Sequence, residues 1–132
     1  MKTYHFKALL LACVLSSIAF SAEAVDRMRA GQWVGTTTVK DKTFNSSNCL
    51  VQGDVDAMNG DAASIRAYLE KSIPPSICKL SEIKANGGEI VYTSACGAAA
   101  PDVVTTKYHG TSFESTTTSG TKSSAKWTGP CK

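Results

Sequence analysis

The segment from Cys78 to Cys96 begins and ends on a cysteine and carries the turn sequence Asn86-Gly87-Gly88 at its centre. Two cysteines at this spacing could form a redox pair, ligate a metal ion or form a structural disulfide. A thioredoxin-like redox site and most structural zinc sites use the closer C-x-x-C spacing, which this sequence lacks. The spacing therefore favours a structural disulfide.

Four cysteines lie beyond residue 24: Cys49, Cys78, Cys96 and Cys131. An even number in a small exported domain indicates a disulfide framework, for which four cysteines allow three pairings. With a three-residue turn at 86–88, Cys78 and Cys96 oppose each other at ~4.5 Å between α-carbons, within disulfide reach. A two-residue turn would move them one step out of register. We therefore predict a Cys78–Cys96 disulfide. Cys49 and Cys131 then remain to form the second disulfide.

Catalytic residues are hard to find in this sequence. His109 is the one histidine beyond residue 24, it lies in a predicted turn, and no serine occupies a G-x-S-x-G motif. A Ser–His–acid system needs a histidine that contacts both a nucleophile and a carboxylate, so we interpret His109 as a solvated turn residue. The carboxylates Glu89, Asp102 and Glu114 fall on different predicted strands. The sequence therefore neither shows nor excludes a glycosidase-like pair of catalytic carboxylates.

The acidic segment Asp54 to Asp61 faintly resembles a calcium-binding loop. An EF-hand loop requires Asp or Asn at position 5, Gly at position 6 and Glu at position 12. Counted from Asp54, these positions hold Met58, Asn59 and Ile65. We therefore predict a loop of caps and turns there, and no metal ion or cofactor.

The N-terminal residues predict a secretory signal peptide over residues 1–24. Lys2 and Lys7 give a positive start, Ala8 to Phe20 is an apolar run too short to span a membrane, and Ala22-Glu23-Ala24 matches a cleavage site. We expect cleavage after Ala24, which leaves a single domain over residues 25–132 with no transmembrane segment.

A lipoprotein is the alternative interpretation of the same residues. Leu10 to Cys13 loosely resembles a lipobox, which would place a lipid on Cys13. Only five apolar residues precede this cysteine, and the apolar run continues beyond it to Phe20. These features favour the signal peptide.

The charge of the chain gives no support for nucleic-acid binding. Without Lys2, Lys7 and Glu23, the 14 basic and 11 acidic residues become 12 and 10, a net charge of +2. The basic residues are scattered singly and are not interleaved with aromatic residues.

The residue pattern favours a mainly β fold. Ser and Thr supply 25 of the 108 residues beyond residue 24, and alternating apolar and polar positions predict about seven short strands. These strands are residues 31–40, 43–51, the two arms of the 78–96 hairpin, 102–108, 112–118 and 122–128. The one predicted helix is Ala62 to Ser72, capped by Asp61 and ended by Pro74-Pro75. We expect a curled antiparallel sheet, a partial barrel, with one short covering helix and two disulfides.

Five short motifs follow one another along the chain: Met28-Arg29-Ala30-Gly31-Gln32-Trp33, Cys49-Leu50, Cys78-Lys79 with Cys96, Tyr108-x-Gly110-x-x-Phe113, and Trp127 to Cys131. Together they resemble the domain of unknown function 3617 family, small exported proteins of Gram-negative bacteria. The resemblance covers essentially the whole chain beyond residue 24. The chain departs from the family in lacking a Met- and Pro-rich stretch between the first two strands, and its helix before Cys78 is longer. The resemblance implies export, a β architecture and the four-cysteine pattern. It implies no functional residue, because the family carries no assigned activity.

We expect a periplasmic, non-enzymatic binding or envelope-accessory protein that binds an apolar small molecule within the curl of the sheet or an envelope protein. This expectation rests on fold-level analogy with small curled sheets that hold ligands. The candidate contacts, each of which also suits an ordinary core, are Trp33, Phe44, Tyr68 and Trp127. The alternative is an inhibitor of a secreted or envelope enzyme that presents a rigid loop such as Gly97–Pro101. A hydrolase is the third and least favoured class.

Overall fold

The computed structural model describes residues 25–132. The predicted signal peptide and the alternative lipidation site at Cys13 lie outside these residues. Among the described residues, no helix is long and apolar enough to cross a membrane. The elements follow in this order: β1 Gly31–Val39, β2 Lys42–Leu50, α1 Gln52–Met58, α2 Ala62–Ser72, β3 Cys78–Asn86, β4 Glu89–Cys96, β5 Asp102–Tyr108, β6 Ser112–Thr117 and β7 Lys122–Gly129.

The strands form one antiparallel sheet in the order β2-β1-β7-β6-β5-β4-β3. Strands β3 to β7 form a meander, and the hairpin of β1 and β2 adds to it through the pairing of β1 with the last strand, β7. The two edge strands, β2 and β3, do not pair with each other, so the sheet is open. This arrangement confirms the predicted seven-stranded antiparallel sheet.

The sheet curls around its inner face. Ser46 on β2 and Tyr92 on β4 line the same cavity of about 390 Å³. In a flat sheet these two strands would lie about 24 Å apart, because five strand spacings of about 4.8 Å separate them. We call the inner side of the curled sheet the concave face.

Two helices pack on the concave face, whereas the sequence predicts one. Helix α2 has the predicted bounds, and the Asp61 carboxylate caps it by accepting a 2.9 Å hydrogen bond from the Ser64 N–H. Helix α1 forms in the acidic segment that we interpreted as a loop. It has no side-chain cap at Val51, but Val55 and Met58 are both buried in the core. Tertiary packing therefore stabilises a helix that has only weak local sequence signals.

The core is a small apolar cluster between the helices and one end of the sheet. Its buried members are Met28, Trp33, Met58, Ile65 and Ile90. Ile65 on α2 and Ile90 on β4 are almost fully inaccessible to solvent. With a core of this size, additional covalent links contribute usefully to stability.

Both predicted disulfides are present. Cys78 and Cys96 are direct cross-strand partners, with their α-carbons 4.1 Å apart. Cys49 on β2 is linked to Cys131 beyond β7, with an α-carbon distance of 5.6 Å. Each disulfide therefore holds one edge strand of the sheet, because Cys49 lies on β2 and Cys78 on β3.

The turn of the β3–β4 hairpin is shorter than we predicted. Asn86 pairs with Glu89, which leaves a two-residue turn at Gly87-Gly88 in place of the predicted three-residue turn. The prediction that only a three-residue turn could bring Cys78 opposite Cys96 is therefore wrong. The first hairpin turn is also displaced by one residue, because Val39 pairs with Lys42.

A β-bulge restores the register of the two cysteines. Between Ser81 and Lys84, the residues Glu82 and Ile83 on β3 oppose Tyr92 alone on β4. Glu82 has a φ of 52°, a left-handed conformation that is strained for a residue with a side chain. The disulfide register therefore depends on one strained residue within β3.

We predict that Glu82→Gly raises the free energy of unfolding by about 1 kcal/mol, because glycine adopts the left-handed conformation without steric cost. Glu82→Ala is the matched control, since both variants lose the 3.2 Å hydrogen bond that the Thr93 hydroxyl donates to the Glu82 carboxylate. Urea denaturation with intact disulfides compares the two variants. Equal stability of Glu82→Gly and Glu82→Ala would contradict the assigned strain.

Candidate functional site

Three aromatic rings form part of the concave face where the helices meet the sheet. Tyr108 on β5 is the direct partner of Phe113 on β6, and their ring centroids lie 5.7 Å apart. The Trp33 ring on β1 lies 6.0 Å from the Phe113 ring. The small residues Gly35 and Ala125 pair on β1 and β7 beside these rings. The two strands approach closely there, because a Cβ on Gly35 would lie 2.6 Å from the Ala125 Cβ.

A row of four hydroxyl groups crosses the same face, one step along the strands. Direct cross-strand pairing places Thr37, Ser123, Ser115 and Thr106 side by side on β1, β7, β6 and β5. The Thr37 and Ser123 hydroxyl oxygens lie 2.9 Å apart, and those of Thr106 and Ser115 lie 2.8 Å apart. We call these four residues the hydroxyl row.

The aromatic rings and the hydroxyl row line one continuous cleft. Two cavities, of about 200 and 390 Å³, share the lining residues Ser46, Asn48, Met58, Leu69, Tyr108 and Phe113. Met58 and Leu69 form the helical wall, and Ser46 and Asn48 on the edge strand β2 form the opposite wall. We call the joined cavities the concave cleft.

Three tyrosines line the concave cleft and are neutral at physiological pH. Burial raises the pKa of Tyr92, and burial with the nearby Asp54 carboxylate raises the pKa of Tyr68. Burial raises the pKa of Tyr108 further, and the neighbouring Tyr92 adds to this shift. A neutral phenol keeps its O–H as a hydrogen-bond donor.

The structure brings together two of the four aromatic residues that the sequence proposed as ligand contacts. Trp33 and Tyr68 both line the smaller cavity. Trp127 is directed to the N-terminal segment, where its indole N–H donates a 3.0 Å hydrogen bond to the Ala30 carbonyl and its ring lies 5.7 Å from the Arg29 guanidinium carbon. Phe44 lies near the tip of the first hairpin, is 56% exposed and does not line the cleft.

Sequence reasoning missed half of the helical wall and most of the hydroxyl row. Met58 lies on α1, which was not predicted, whereas Leu69 lies on the apolar stripe of the predicted helix. The alternation along the first strand places Thr37 on the face of Trp33, but no face was assigned to Thr106, Ser115 and Ser123. The alternation of polar residues along β6 and β7 was the available signal. This alternation does not show which residues face the concave side, because both faces of these strands carry Ser and Thr.

A buried arginine fixes helix α1 over the sheet. Arg27 is only 4% exposed. Its guanidinium donates hydrogen bonds of 2.9 Å to the carbonyls of Met58 and Gly60 at the end of α1, and one of 2.7 Å to the Gly87 carbonyl in the β3–β4 turn. A cation at the carbonyl end of a helix is also favoured by the helix dipole. Arg27 therefore joins the helical wall of the cleft to the β3–β4 hairpin.

Asn59 completes this junction with its side chain. Its carbonyl oxygen accepts 2.9 Å hydrogen bonds from the backbone N–H groups of Arg27 and Met28. Its amide donates a 3.1 Å hydrogen bond to the Met28 carbonyl.

Burial lowers the pKa of Arg27, but a guanidinium in a protein remains protonated.

The remaining candidates for catalysis lie outside the concave cleft. His109 is exposed in the β5–β6 turn, as predicted, and its backbone N–H donates to the Ser112 carbonyl at 2.8 Å. Glu89 and Glu114 both pair with Lys107 from opposite sides, so one strand separates them by roughly 9–10 Å. In residues 25–132, no three His, Cys, Asp or Glu side chains converge as metal ligands.

Asp102 is bound by hydroxyl donors at the opposite end of β5. Its carboxylate accepts 2.6 Å hydrogen bonds from the hydroxyls of Thr118 and Ser119 and a 2.9 Å hydrogen bond from the Ser119 N–H. These donors, Ser119 foremost, lower the pKa of the Asp102 carboxyl to about 2. The carboxylate ties the start of β5 to the β6–β7 turn.

One comparison with known proteins gives a match. The family model described as Protein of unknown function (DUF3617) matches residues 28–131. No curated protein and no solved structure shows significant similarity to the chain.

We predict that Arg27→Met lowers the free energy of unfolding by about 3 kcal/mol or more, because it leaves three carbonyl groups without their donor. Arg29→Met is the matched control. It removes an exposed arginine whose contact with the Trp127 ring is worth about 0.5–1 kcal/mol. Urea denaturation measures both variants, and equal losses would refute the role assigned to Arg27.

We predict that Asp102→Asn flattens the acid dependence of stability. The folded-state pKa of about 2 lies below the ordinary pKa of 3.8 for an aspartic acid, so the carboxylate stabilises the fold above pH 3.8. This contribution is lost as the pH falls towards 2. Ser119→Ala should partly reduce the same dependence of stability on pH, because it removes one of the hydroxyl donors to the carboxylate. Thermal denaturation from pH 5 to pH 2 tests this, and an unchanged acid slope in Asp102→Asn would contradict it.

Proposed function

Because this chain belongs to the DUF3617 family, whose members have no known function, we propose a function from the geometry of the concave cleft. The domain binds a small amphipathic molecule between the helical wall and the curled sheet, and it does not convert that molecule chemically.

The observation that supports this proposal is the concave cleft itself. Its larger cavity, of about 390 Å³, lies within the range of about 300–1,000 Å³ that is typical of small-molecule sites, and the adjoining cavity adds about 200 Å³ at one end. The lining combines aromatic and aliphatic side chains with a few polar groups at defined positions. This mixture is typical of sites where apolar contact supplies affinity and hydrogen bonds orient the ligand.

The edge strand β2 gives the cleft an accessible entrance. Ser46 and Asn48 line both cavities and are exposed to solvent. The helices pack on the same concave face but towards the opposite edge of the sheet, where Arg66 on α2 donates a 2.9 Å hydrogen bond to the Leu80 carbonyl on β3. A ligand can therefore enter past β2 without displacing either helix.

The chemistry of the lining supports binding rather than catalysis. The hydroxyl row supplies alcohols, but an alcohol needs an adjacent base to become a nucleophile. Each hydroxyl of the row hydrogen-bonds to another Ser or Thr hydroxyl, which is not a base. His109 and the carboxylates Glu89 and Glu114 are directed elsewhere, as described above.

The location that we propose follows from the disulfides and the N-terminal sequence. Two disulfides fit an oxidising compartment outside the cytoplasm. Residues 1–24 have the composition of a signal peptide. We propose that the domain acts in the periplasm after cleavage behind Ala24.

Inhibition of a secreted or envelope enzyme is the second candidate. The loop at 97–101 is exposed throughout and directly follows Cys96, whose disulfide holds its base. A loop fixed in this way loses little conformational entropy when it binds. Stoichiometric capture of an enzyme that is abolished by replacing this loop would favour inhibition over small-molecule binding.

We predict that Ser46→Leu weakens small-molecule binding by about tenfold or more, equivalent to about 1.4 kcal/mol. Ser46 is exposed and lines both cavities of the cleft, so a leucine there extends into the space that a ligand would occupy. The neutral dye N-phenyl-1-naphthylamine, whose fluorescence rises in apolar sites, reports binding by the protein and its variants.

Asn45→Leu is the matched control, because Asn45 is the neighbouring residue on β2 and faces the convex side. It should bind the dye as the wild-type protein does. Absence of dye binding, or equal binding by Ser46→Leu and Asn45→Leu, would overturn the cleft as a binding site.

A further inference from the structure

We propose that the molecule bound in the concave cleft is a neutral, single-chain amphiphile whose polar head carries hydroxyl groups. This inference rests on the proposed function and specifies the class of ligand. The arrangement of polarity along the cleft, the hydrogen-bonding capacity of the hydroxyl row and the charge of the lining support it.

The cleft has an apolar end and a hydroxyl end. Met28, Trp33 and Leu50 line only the smaller cavity. The hydroxyl row lines only the larger cavity, where it lies beside the apolar Ile90 and Val104. Met58 and Leu69 border both cavities. A molecule that fills the cleft therefore presents hydrocarbon to one end and polar atoms to the other.

The apolar end has room for one hydrocarbon chain. Its cavity of about 200 Å³ is slightly larger than the ~150 Å³ cavity that accommodates one benzene molecule. Two methionines, Met28 and Met58, line it, and their flexible side chains adapt to unbranched chains better than branched residues do. A two-chain lipid would need a wider space.

The hydroxyl row has unused donors and acceptors. In each pair, one O–H donates to its neighbour, so the accepting residue still has its own O–H to donate. Thr37 with Ser123 therefore offers one further donor and several lone pairs. The Thr106–Ser115 pair shares its remaining capacity with the neighbouring Tyr108 hydroxyl, to which the Thr106 side chain hydrogen-bonds. A partner that both donates and accepts is an alcohol rather than a carboxylate, which only accepts.

Among residues 25–132, those that line the cleft carry no formal charge. All the residues that border either cavity are apolar, aromatic, hydroxyl-bearing or amide-bearing. Arg27, the nearest buried cation, uses its guanidinium to bind backbone carbonyls. An ionic head group would lose hydration on entering without gaining an opposite charge, which is costly.

Displacement of N-phenyl-1-naphthylamine by four probes with the same twelve-carbon chain tests this inference. The probes are 1-monolaurin, methyl laurate, laurate at pH 8 and dodecyltrimethylammonium, each below its micellar concentration. We expect 1-monolaurin to bind at least about tenfold more tightly than either ion and more tightly than methyl laurate, which has no hydroxyl group.

Two serines on β7 provide the matched variants. Ser123→Ala should reduce the preference for 1-monolaurin over methyl laurate, because Ser123 belongs to the hydroxyl row. Ser124→Ala, the next residue and on the convex face, should leave the preference unchanged. An equal effect of both variants would overturn the role of the hydroxyl row.

The result separates this inference from the proposed function. If the dye binds but either ion displaces it as well as 1-monolaurin does, the ligand class is wrong and the cleft remains a binding site. If neither the dye nor any probe binds, the proposed function is wrong as well.

Discussion

The position of the two helices over the sheet depends on the buried guanidinium of Arg27. Helix α2, the longer one, has 11 residues and is about 16 Å long, whereas seven strands at about 4.8 Å spacing are much wider. Two short helices therefore cover only part of the concave face. Arg27 joins the end of α1 to the β3–β4 turn, so the uncovered part lies towards β2. The cleft follows from this placement.

The disulfides stabilise the parts of the sheet that hydrogen bonds hold least well. An edge strand pairs on one side only, which leaves it more prone to local opening than a central strand. Cys49 links the edge strand β2 to the C-terminal segment, and Cys78 links the edge strand β3 to β4. The first of these links also fixes a wall of the cleft, because β2 carries Ser46 and Asn48. The cysteines thus contribute to the site by holding its edges.

The features that the sequence predicted correctly are mostly local. Alternation along single strands, the cap at Asp61 and the opposition of Cys78 and Cys96 each depend on residues close in the chain. Even there, the predicted three-residue turn was wrong, and the unpredicted bulge at Glu82 compensated for it.

The features that the sequence did not predict depend on contacts between distant segments. Arg27 donates to Gly87, 60 residues away, and Thr37 meets Ser123 across a separation of 86 residues. Helix α1 has weak local signals and forms because Val55 and Met58 are buried against other elements. Tyr68 and Trp33 were proposed as contacts for their aromatic character, and only the packing of α2 on the sheet showed that they share a cavity.

The most direct test of a ligand site in the concave cleft is nuclear magnetic resonance of the methionine methyl groups. Met28 and Met58 are the two methionines beyond residue 24, and both line the apolar end of the cleft. With ¹³C-labelled methionine methyl groups, titration with 1-monolaurin should shift both resonances saturably and give nuclear Overhauser effects to the acyl chain. Unchanged resonances, with no such effects at saturating 1-monolaurin, would contradict the account.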